Sequence, residues 1–158
     1  MGSSSGAIDA RERQFAAALK ADGLRMTHQR LEVIRELASA THHPGADELY
    51  RAVRERVPTI SLDTVYRTLG TLAARGLIER IATPGAARFD PDPSMHHHFV
   101  CTRCGRIADL DVDDIGRIEV PPEVSSLGTV TSVRLEMKGV CIACAAAGDR
   151  SRESGLNR

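Results

Sequence analysis

The sequence has 158 residues, 42% of them hydrophobic, with four cysteines and a formal net charge of zero. This hydrophobic fraction excludes a wholly disordered chain, and the length allows one large domain or two small ones. No apolar run approaches the roughly 18–20 residues that span a bilayer, and the polar start Met1–Gly6 does not resemble a secretory signal. We therefore expect a cytoplasmic protein with no membrane partner. Its cysteines would be reduced there, which favours metal ligation over disulfides.

Charge is divided unevenly along the chain. Residues 1–83 carry 12 basic and 10 acidic side chains, whereas residues 84–158 carry 9 basic and 11 acidic ones. The net charge of zero is thus an average over a mildly basic half and a mildly acidic half. This division hints at two different tasks but does not identify them.

The first half of the chain shows the apolar spacing of amphipathic helices. Gly23 is a candidate C-cap for the first helix, Thr27 stands at the N-cap position of the second, and Pro58 ends the third. We expect a disordered segment over 1–9, followed by helices over 10–22, 28–37 and 46–57.

A fourth helix is predicted over 62–75, with Ser61 as its N-cap. At 100° per residue, one face of this helix is apolar and collects Leu62, Val65, Leu69, Leu72 and Ala73. The opposite face carries hydroxyl and guanidinium groups, namely Thr64, Arg67 and Thr71, flanked by Asp63 and Thr68. Such groups hydrogen-bond base edges and phosphates, so the face is a candidate DNA-reading surface. A solvated helix face is the alternative interpretation.

Two short strands are predicted after the fourth helix, over 77–81 and 87–89, with a turn at Thr83–Ala86 between them. Helices followed by a β-hairpin are typical of a winged helix-turn-helix, whose last helix enters the major groove of DNA. We therefore expect residues 10–90 to form a winged-helix domain that binds double-stranded DNA.

The second half contains two Cys-x-x-Cys pairs with 36 residues between them, Cys101 with Cys104 and Cys141 with Cys144. Four thiolates are what a tetrahedral structural zinc site requires, and the short gap within each pair lets one turn direct both sulfurs at one ion. Buried structural thiols or a redox pair are the alternatives. A redox pair needs no second pair, however, so we predict a structural Zn²⁺ site.

A run of three histidines precedes the first cysteine pair. In a strand, His96 and His98 would point to one face and His97 to the other. Asp109 lies on the next predicted strand, Asp90 lies just before the Pro91–Pro93 hinge, and His43 lies in a loop of the first domain. Nitrogen and oxygen ligands from both domains would form a five-ligand site suited to Fe²⁺, Mn²⁺ or Zn²⁺. A polar surface strand is the alternative for the histidines.

The remaining elements suggest a small α/β unit over 91–146, with a disordered tail over 147–158. Strands are predicted over 105–111 and 128–138, with a short helix over 112–120 between them. A unit of this size has little core, so we expect zinc and an exposed strand edge to support it through dimerisation. The expected fold is therefore α+β, with a winged helix-turn-helix domain followed by a zinc-containing dimerisation domain.

Taken together, these segments resemble the ferric uptake regulator family from about Arg25 to Cys144. The resemblance is carried by Arg25–Arg30, His43–Pro44, Ala46–Tyr50, Thr64–Leu69, Gly76–Leu77, Arg88–Asp90, His96–His98, Cys101–Gly105 and Gly139–Cys144. It implies a homodimeric, metal-dependent repressor that is not an enzyme and that binds a DNA operator. The four cysteines then match the structural zinc ligands, and the regulatory metal ligands are His43, Asp90, His96, His98 and Asp109. Residues Arg25, Tyr66 and Arg67 join Thr64 and Thr71 as DNA-binding candidates, although the helical wheel puts Tyr66 at the edge of the core.

Within the family, aspartate at both 90 and 109 resembles the peroxide-sensing branch, in which Fe²⁺ and hydrogen peroxide oxidise a ligand histidine such as His43 or His96. Arg67 departs from that branch, which often has asparagine there. Val133 departs from the iron-uptake branch, which often has histidine there. Regulation by iron or zinc availability is the alternative. A small metallohydrolase is a remote one, because such an enzyme needs an open coordination position and a nearby base.

Overall fold

The structure, a computed structural model, describes residues 3–92, 94, 96–111, 120–131, 133 and 135–153. The chain divides into two compact units, with the main division after Pro93, close to the predicted boundary at residue 90. The first unit contains α1 (Ser3–Ala21), α2 (His28–Ser39), α3 (Ala46–Arg56), α4 (Leu62–Ala74), β1 (Glu79–Ile81) and β2 (Arg88–Asp90). The second contains β3 (His97–Cys101), β4 (Ile107–Leu110), a 3-10 helix (Pro122–Ser126), β5 (Glu136–Gly139) and α5 (Ile142–Glu153). The predicted α+β class is confirmed.

Local signals in the sequence set the ends of the helices in the first unit. The Thr27 hydroxyl accepts the N–H of Arg30 at 3.3 Å, and the Ser61 hydroxyl accepts the N–H of Thr64 at 3.2 Å. Each bond satisfies an N–H group that has no partner inside its helix, as the N-cap prediction requires. After α1 the chain turns at Gly23 with φ of 71°, a left-handed conformation that favours glycine.

The core of the first unit lies between the four helices and the β1–β2 hairpin. Its largest fully buried side chains come from all four helices: Phe15, Leu19, Val33, Ile34, Leu37, Leu49, Val53, Val65, Leu69 and Leu72. Ile78 and Phe89 extend the core beneath the hairpin, in which β1 pairs antiparallel with β2. These are the helices and the two-stranded wing that the sequence predicts.

Glu32 is a charged side chain that is buried at the edge of this core. Glu32 in α2 accepts hydrogen bonds from Arg35 at 2.7 Å and from Arg56 in α3 at 3.1 Å. The Arg35 hydrogen bond is the largest influence on the pKa of Glu32. Burial opposes it and Arg56 reinforces it, with the net result that the pKa is lowered from its usual value of 4.5. The ionised carboxylate therefore links α2 to α3.

The second unit is built on a three-stranded sheet with the order β4–β3–β5. Strand β3 pairs antiparallel with β4 and parallel with β5, where Cys101 lies opposite Gly139. Among the described residues of this unit, the buried apolar side chains are Val100, Cys101 and Cys141. Burial of so few apolar side chains cannot by itself stabilise the sheet.

Several predicted boundaries need correction. The first helix begins at Ser3, so the disordered segment expected over 1–9 is helical from residue 3 onward, and Ile8 packs against the core. The last helix extends to Glu153, into the predicted disordered tail, since its alanine-rich start favours a helix. The strand predicted over 128–138 is reduced to Glu136–Gly139, the segment that pairs with β3. The predicted helix over 112–120 falls on residues 112–119, outside the described residues. Within the described part of the chain, no helix is both long and apolar enough to cross a membrane.

Candidate metal centres and nucleic-acid face

The four cysteines converge at one end of the sheet in the second unit. Cys101 is the last residue of β3, and Cys141 follows the end of β5. Because these two strands are parallel, their carboxyl ends lie side by side. The four Sγ atoms all lie within 4.8 Å of one another. The topology thus brings together two thiol pairs that are far apart in the sequence.

The cysteine cluster has the dimensions of a zinc site. A tetrahedron with Zn–S distances of about 2.3 Å has sulfurs about 3.8 Å apart, and Cys104 Sγ lies 3.8 Å from Cys141 Sγ. The backbone N–H groups of Cys104 and Cys141 point at the buried Cys101 sulfur and lower its pKa to about 6. Hydrogen bonds in which the Cys144 thiol donates to the sulfurs of Cys104 and Cys141 raise the pKa of Cys144 to about 12. Cys101 is thus readily ionised whereas Cys144 is not, and a bound cation such as Zn²⁺ would favour the thiolate form of both.

The second unit also holds a group of nitrogen and oxygen donors. His98 in β3 lies opposite Asp109 in β4, and its Nε2 atom is 3.7 Å from Asp109 Oδ1. His96 directly precedes β3, and its Nε2 atom is 4.0 Å from the same oxygen. The two imidazole rings have centroids 4.6 Å apart. The residues predicted to share a face therefore lie together, in a donor set that suits Fe²⁺, Mn²⁺ or Zn²⁺.

His97 has a different environment from its neighbours. Its Nδ1 atom accepts the backbone N–H of Leu135 at 3.1 Å, and the ring is buried. As the strand alternation predicts, it is separate from the donor group of His96, His98 and Asp109. Its hydrogen bond attaches the segment before β5 to β3, which is a structural role that the sequence pattern did not reveal.

The remaining two predicted regulatory ligands lie in the first unit. His43 precedes Pro44, and Asp90 is the last residue of β2. The N–H of Phe89 donates to the carbonyl of Pro44 at 3.0 Å, which holds the loop against the strand. As a result His43 Nε2 is 3.9 Å from Asp90 Oδ1, and that oxygen also accepts the N–H of Asp92 at 2.8 Å. Both side chains are largely buried, so the first unit contributes a preformed nitrogen and oxygen pair.

The outward face of α4 carries the candidate DNA-binding residues. Arg67 is exposed and lies 3.8 Å from the exposed carboxylate of Asp63. A surface ion pair of this kind is weak, so the guanidinium remains available for another anion. Tyr66 is 48% exposed, which corrects its predicted place at the edge of the core. The Thr64 hydroxyl bonds Ser61, and the Thr71 hydroxyl donates to the Arg67 carbonyl.

Thr68 corrects the predicted position of this face. It was expected beside the polar residues, but its side chain is fully buried and its hydroxyl donates to the Thr64 carbonyl at 2.7 Å. The buried stripe is therefore Val65, Thr68, Leu69 and Leu72. The centre of the exposed face moves accordingly, toward Asp63, Arg67 and Gly70. Gly70 was not among the residues predicted for this face, although a glycine inside a predicted helix is a recognisable signal.

Arg25, the remaining predicted DNA contact, lies in the exposed loop before α2. Its carbonyl accepts a hydrogen bond from the Arg30 guanidinium, and this bond fixes the loop. From the sequence, Arg30 is identified only as the end of the segment Arg25–Arg30 that resembles the family. Spacing gives no signal for a contact between a side chain and a backbone carbonyl five residues away.

Comparison with known proteins gives consistent matches along most of the chain. A profile of the ferric uptake regulator family matches residues 21–138. The peroxide-responsive repressor PerR of Staphylococcus epidermidis is 32% identical over 143 residues, covering 90% of this chain and 95% of that protein. The Campylobacter jejuni peroxide stress regulator has a solved structure with 30% identity and a TM-score of 0.57, covering 80% of this chain and 91% of that one. The structure of the Vibrio cholerae ferric uptake regulator has 28% identity and a TM-score of 0.58, covering 79% and 98%.

Proposed function

The chain belongs to the ferric uptake regulator family, and we propose that this member is a peroxide-sensing repressor whose DNA binding depends on a regulatory metal ion. The observation that carries the proposal is the donor group of His96, His98 and Asp109, in which both imidazoles lie within 4.0 Å of one carboxylate oxygen. Relatives named for their response to peroxide support the choice of signal.

Two metal centres with different tasks follow from the donor chemistry. Four sulfur ligands leave no open position, so the cysteine centre takes a structural zinc ion. The histidine and aspartate groups take Fe²⁺, Mn²⁺ or Zn²⁺, which exchange more readily at nitrogen and oxygen ligands than at a closed thiolate site. Sensing is therefore assigned to histidines and aspartates, while the cysteines support the fold.

We also propose that His43 and Asp90 act on the same regulatory ion as the donor group of the second unit. Asp90 precedes His96 by only six positions in the sequence, so the chain can bring both sets to one ion. An ion that takes ligands from both units would favour one arrangement of the two domains over others. In a homodimer that arrangement would match two DNA half-sites. Metal loading would thereby control operator binding.

Held by the histidine and aspartate ligands, Fe²⁺ would supply one electron for cleavage of the peroxide O–O bond and would regain it by the end of the reaction. In the net reaction, one ring carbon of His43 or His96 would exchange its C–H bond for a bond to oxygen with the loss of two electrons, and the second oxygen atom of H2O2 would leave as water. An oxidised ring is a poorer ligand, so the protein would lose the arrangement that binds DNA. Mn²⁺ would support DNA binding without this reaction.

The test loads the protein with Fe²⁺ or Mn²⁺ under anaerobic conditions and adds hydrogen peroxide. DNA binding is measured on a duplex selected from a random pool by the Mn²⁺ form. We expect the Fe²⁺ form alone to release the duplex and to gain one oxygen atom on a histidine. Peptide fragmentation supplies internal controls, because His42 accompanies His43 and His97 accompanies His96. Release without histidine oxidation, or equal oxidation of His42 and His43, would contradict the mechanism.

DNA recognition is assigned to α4 and is tested separately. Arg67→Ala should weaken binding to the selected duplex by roughly 10- to 100-fold, the range of one bidentate arginine–guanine contact. Arg51→Ala is the matched control, because it removes one exposed arginine from the neighbouring helix. Equal losses in the two variants would indicate a general charge effect rather than base recognition.

A metal-availability sensor is the second candidate, favoured by Arg67 on α4 and by the similarity to the Vibrio cholerae ferric uptake regulator. In that case duplex binding would follow the concentration of Fe²⁺ or Zn²⁺ and would be insensitive to peroxide. The experiment with Fe²⁺ and Mn²⁺ therefore separates the two candidates.

A further inference from the structure

Gly70 is a helix-interior glycine for which the described residues show no structural requirement. It lies within α4 (Leu62–Ala74), and its φ is not positive. Apart from the adjoining residues and backbone of α4 itself, no described heavy atom lies within 4 Å of the position that a Cβ atom would occupy. Glycine is the least favourable residue in a helix interior after proline. The chain therefore keeps an unfavourable residue where alanine would fit without any contact.

Gly70 lies on the side of α4 that faces away from the core. The buried stripe of α4 consists of Val65, Thr68, Leu69 and Leu72. At about 100° per residue, Gly70 points within roughly 30° of the direction opposite that stripe. It is exposed and lies at the centre of the outward face.

The neighbouring side chains leave this centre uncovered. Arg67 lies one turn before Gly70 and extends toward Asp63, 3.8 Å away, in the N-terminal direction that helical side chains prefer. Tyr66 is also one turn before Gly70 and is 48% exposed. Bare backbone at Gly70 thus directly follows the two largest side chains of the face.

We propose that Gly70 is a positioning residue for DNA, because its missing side chain lets the α4 backbone approach the base edges closely. This inference rests on the proposed function, in which α4 is the DNA-reading helix. The major groove is about 12 Å wide, and a helix with its side chains is about 10–12 Å across, so little clearance remains. A side chain at the centre of the face would hold the helix away from the groove floor. Arg67 and Tyr66 would then reach the bases less well.

The test compares Gly70→Ala and Gly70→Gln with the wild-type protein, all loaded with Mn²⁺. Gly70→Ala should raise Tm by about 2–4 °C, because alanine favours a helix. It should nevertheless weaken binding to the selected duplex by about tenfold, as one mismatched base pair would. Gly70→Gln should weaken it further. The affinity for a non-specific duplex should not change, because contacts with phosphates supply the sequence-independent part of the binding free energy.

Gly6→Ala is the matched control. Gly6 also lies in a helix, α1, and a Cβ atom there likewise meets nothing within 4 Å. This variant should leave the affinity for the selected duplex unchanged. A repeat of the random-pool selection with Gly70→Ala should alter the preferred bases at one position of each half-site. An alanine or glutamine variant that binds the selected duplex as well as the wild type would overturn the inference. Failure of the wild type to select any duplex would instead refute the proposed function.

Discussion

Replacement of Cys104 with serine is expected to unfold the second unit and leave the first unit folded. The reason is the unequal distribution of buried apolar side chains. The first unit buries ten large side chains almost completely across α1–α4, whereas in the described part of the second unit burial involves Val100 and two of the thiols themselves. We therefore expect the sheet β4–β3–β5 to depend on an ion held by its four cysteines.

The free energies of apolar burial and of zinc binding explain why the two units should respond differently to this substitution. Complete burial of one valine contributes about 1.5–3 kcal/mol, whereas structural zinc contributes about 10–16 kcal/mol in small zinc-binding peptides at neutral pH. The ion is therefore the largest stabilising contribution that we can assign to the second unit. Serine at position 104 removes one of the four thiolates, and we expect the remaining three to hold the ion more weakly. No comparable dependence on metal is expected in the first unit.

Hydrogen exchange resolved by peptide is the appropriate assay, because it follows the two units separately. Protection should be lost in β3, β4 and β5 and retained in α2, α3 and α4. Ala143→Ser is the control, since it introduces the same side chain between Cys141 and Cys144 without removing a ligand. Retained protection in β3 and β5 after complete zinc removal would refute the reasoning. Equal loss of protection in both units would refute it as well.

Three further predictions concern the first unit. Because the pKa of Glu32 is lowered in the folded state, its contribution to stability is complete above its usual pKa of 4.5 and is lost as the pH falls toward the lowered value. Glu32→Gln should therefore flatten the decline in urea midpoint between about pH 5 and pH 3, and an unchanged slope would contradict the assignment. Leu69→Ala should reduce the free energy of unfolding by about 2–5 kcal/mol, because Leu69 is fully buried; a loss below about 1 kcal/mol in urea titration would show that the site collapses around the smaller side chain. Ser61→Ala should cost about 0.5–2 kcal/mol through the lost N-cap of α4, and thermal denaturation with no shift would show that water replaces the hydroxyl.

Much of the first unit is predictable because its signals are local. The Thr27 and Ser61 caps, the glycine after α1 and the apolar stripe of each helix all act within one or two helical turns. Thr68 is a residue of the first unit whose predicted exposure was wrong. Periodicity places a polar residue outside, but a threonine hydroxyl bonded to the carbonyl four residues earlier can be buried without leaving a polar group unsatisfied.

The second unit is less predictable because its strands pair with segments that are far away in the sequence. The strand predicted over 128–138 has the right alternation of side chains, yet only Glu136–Gly139 pairs with β3. Sequence alternation does not reveal that this pairing is parallel, and parallel pairing brings the two cysteine pairs together. The cysteine spacing predicts a group of four thiols, which the structure shows, whereas the topology that assembles this group is visible only in the structure.

The parallel alignment of β3 and β5 also has a consequence for synthesis of the protein. A ribosome releases the chain from its N-terminus, and domains generally fold as units as they emerge. The four helices of the first unit are thus synthesised before Cys141 and Cys144. Until Cys141 and Cys144 emerge and β5 docks beside β3, the first pair offers zinc only two of its four ligands. Zinc capture therefore follows synthesis of the first unit, and a newly made chain can fold α4 before it can hold the ion with four ligands.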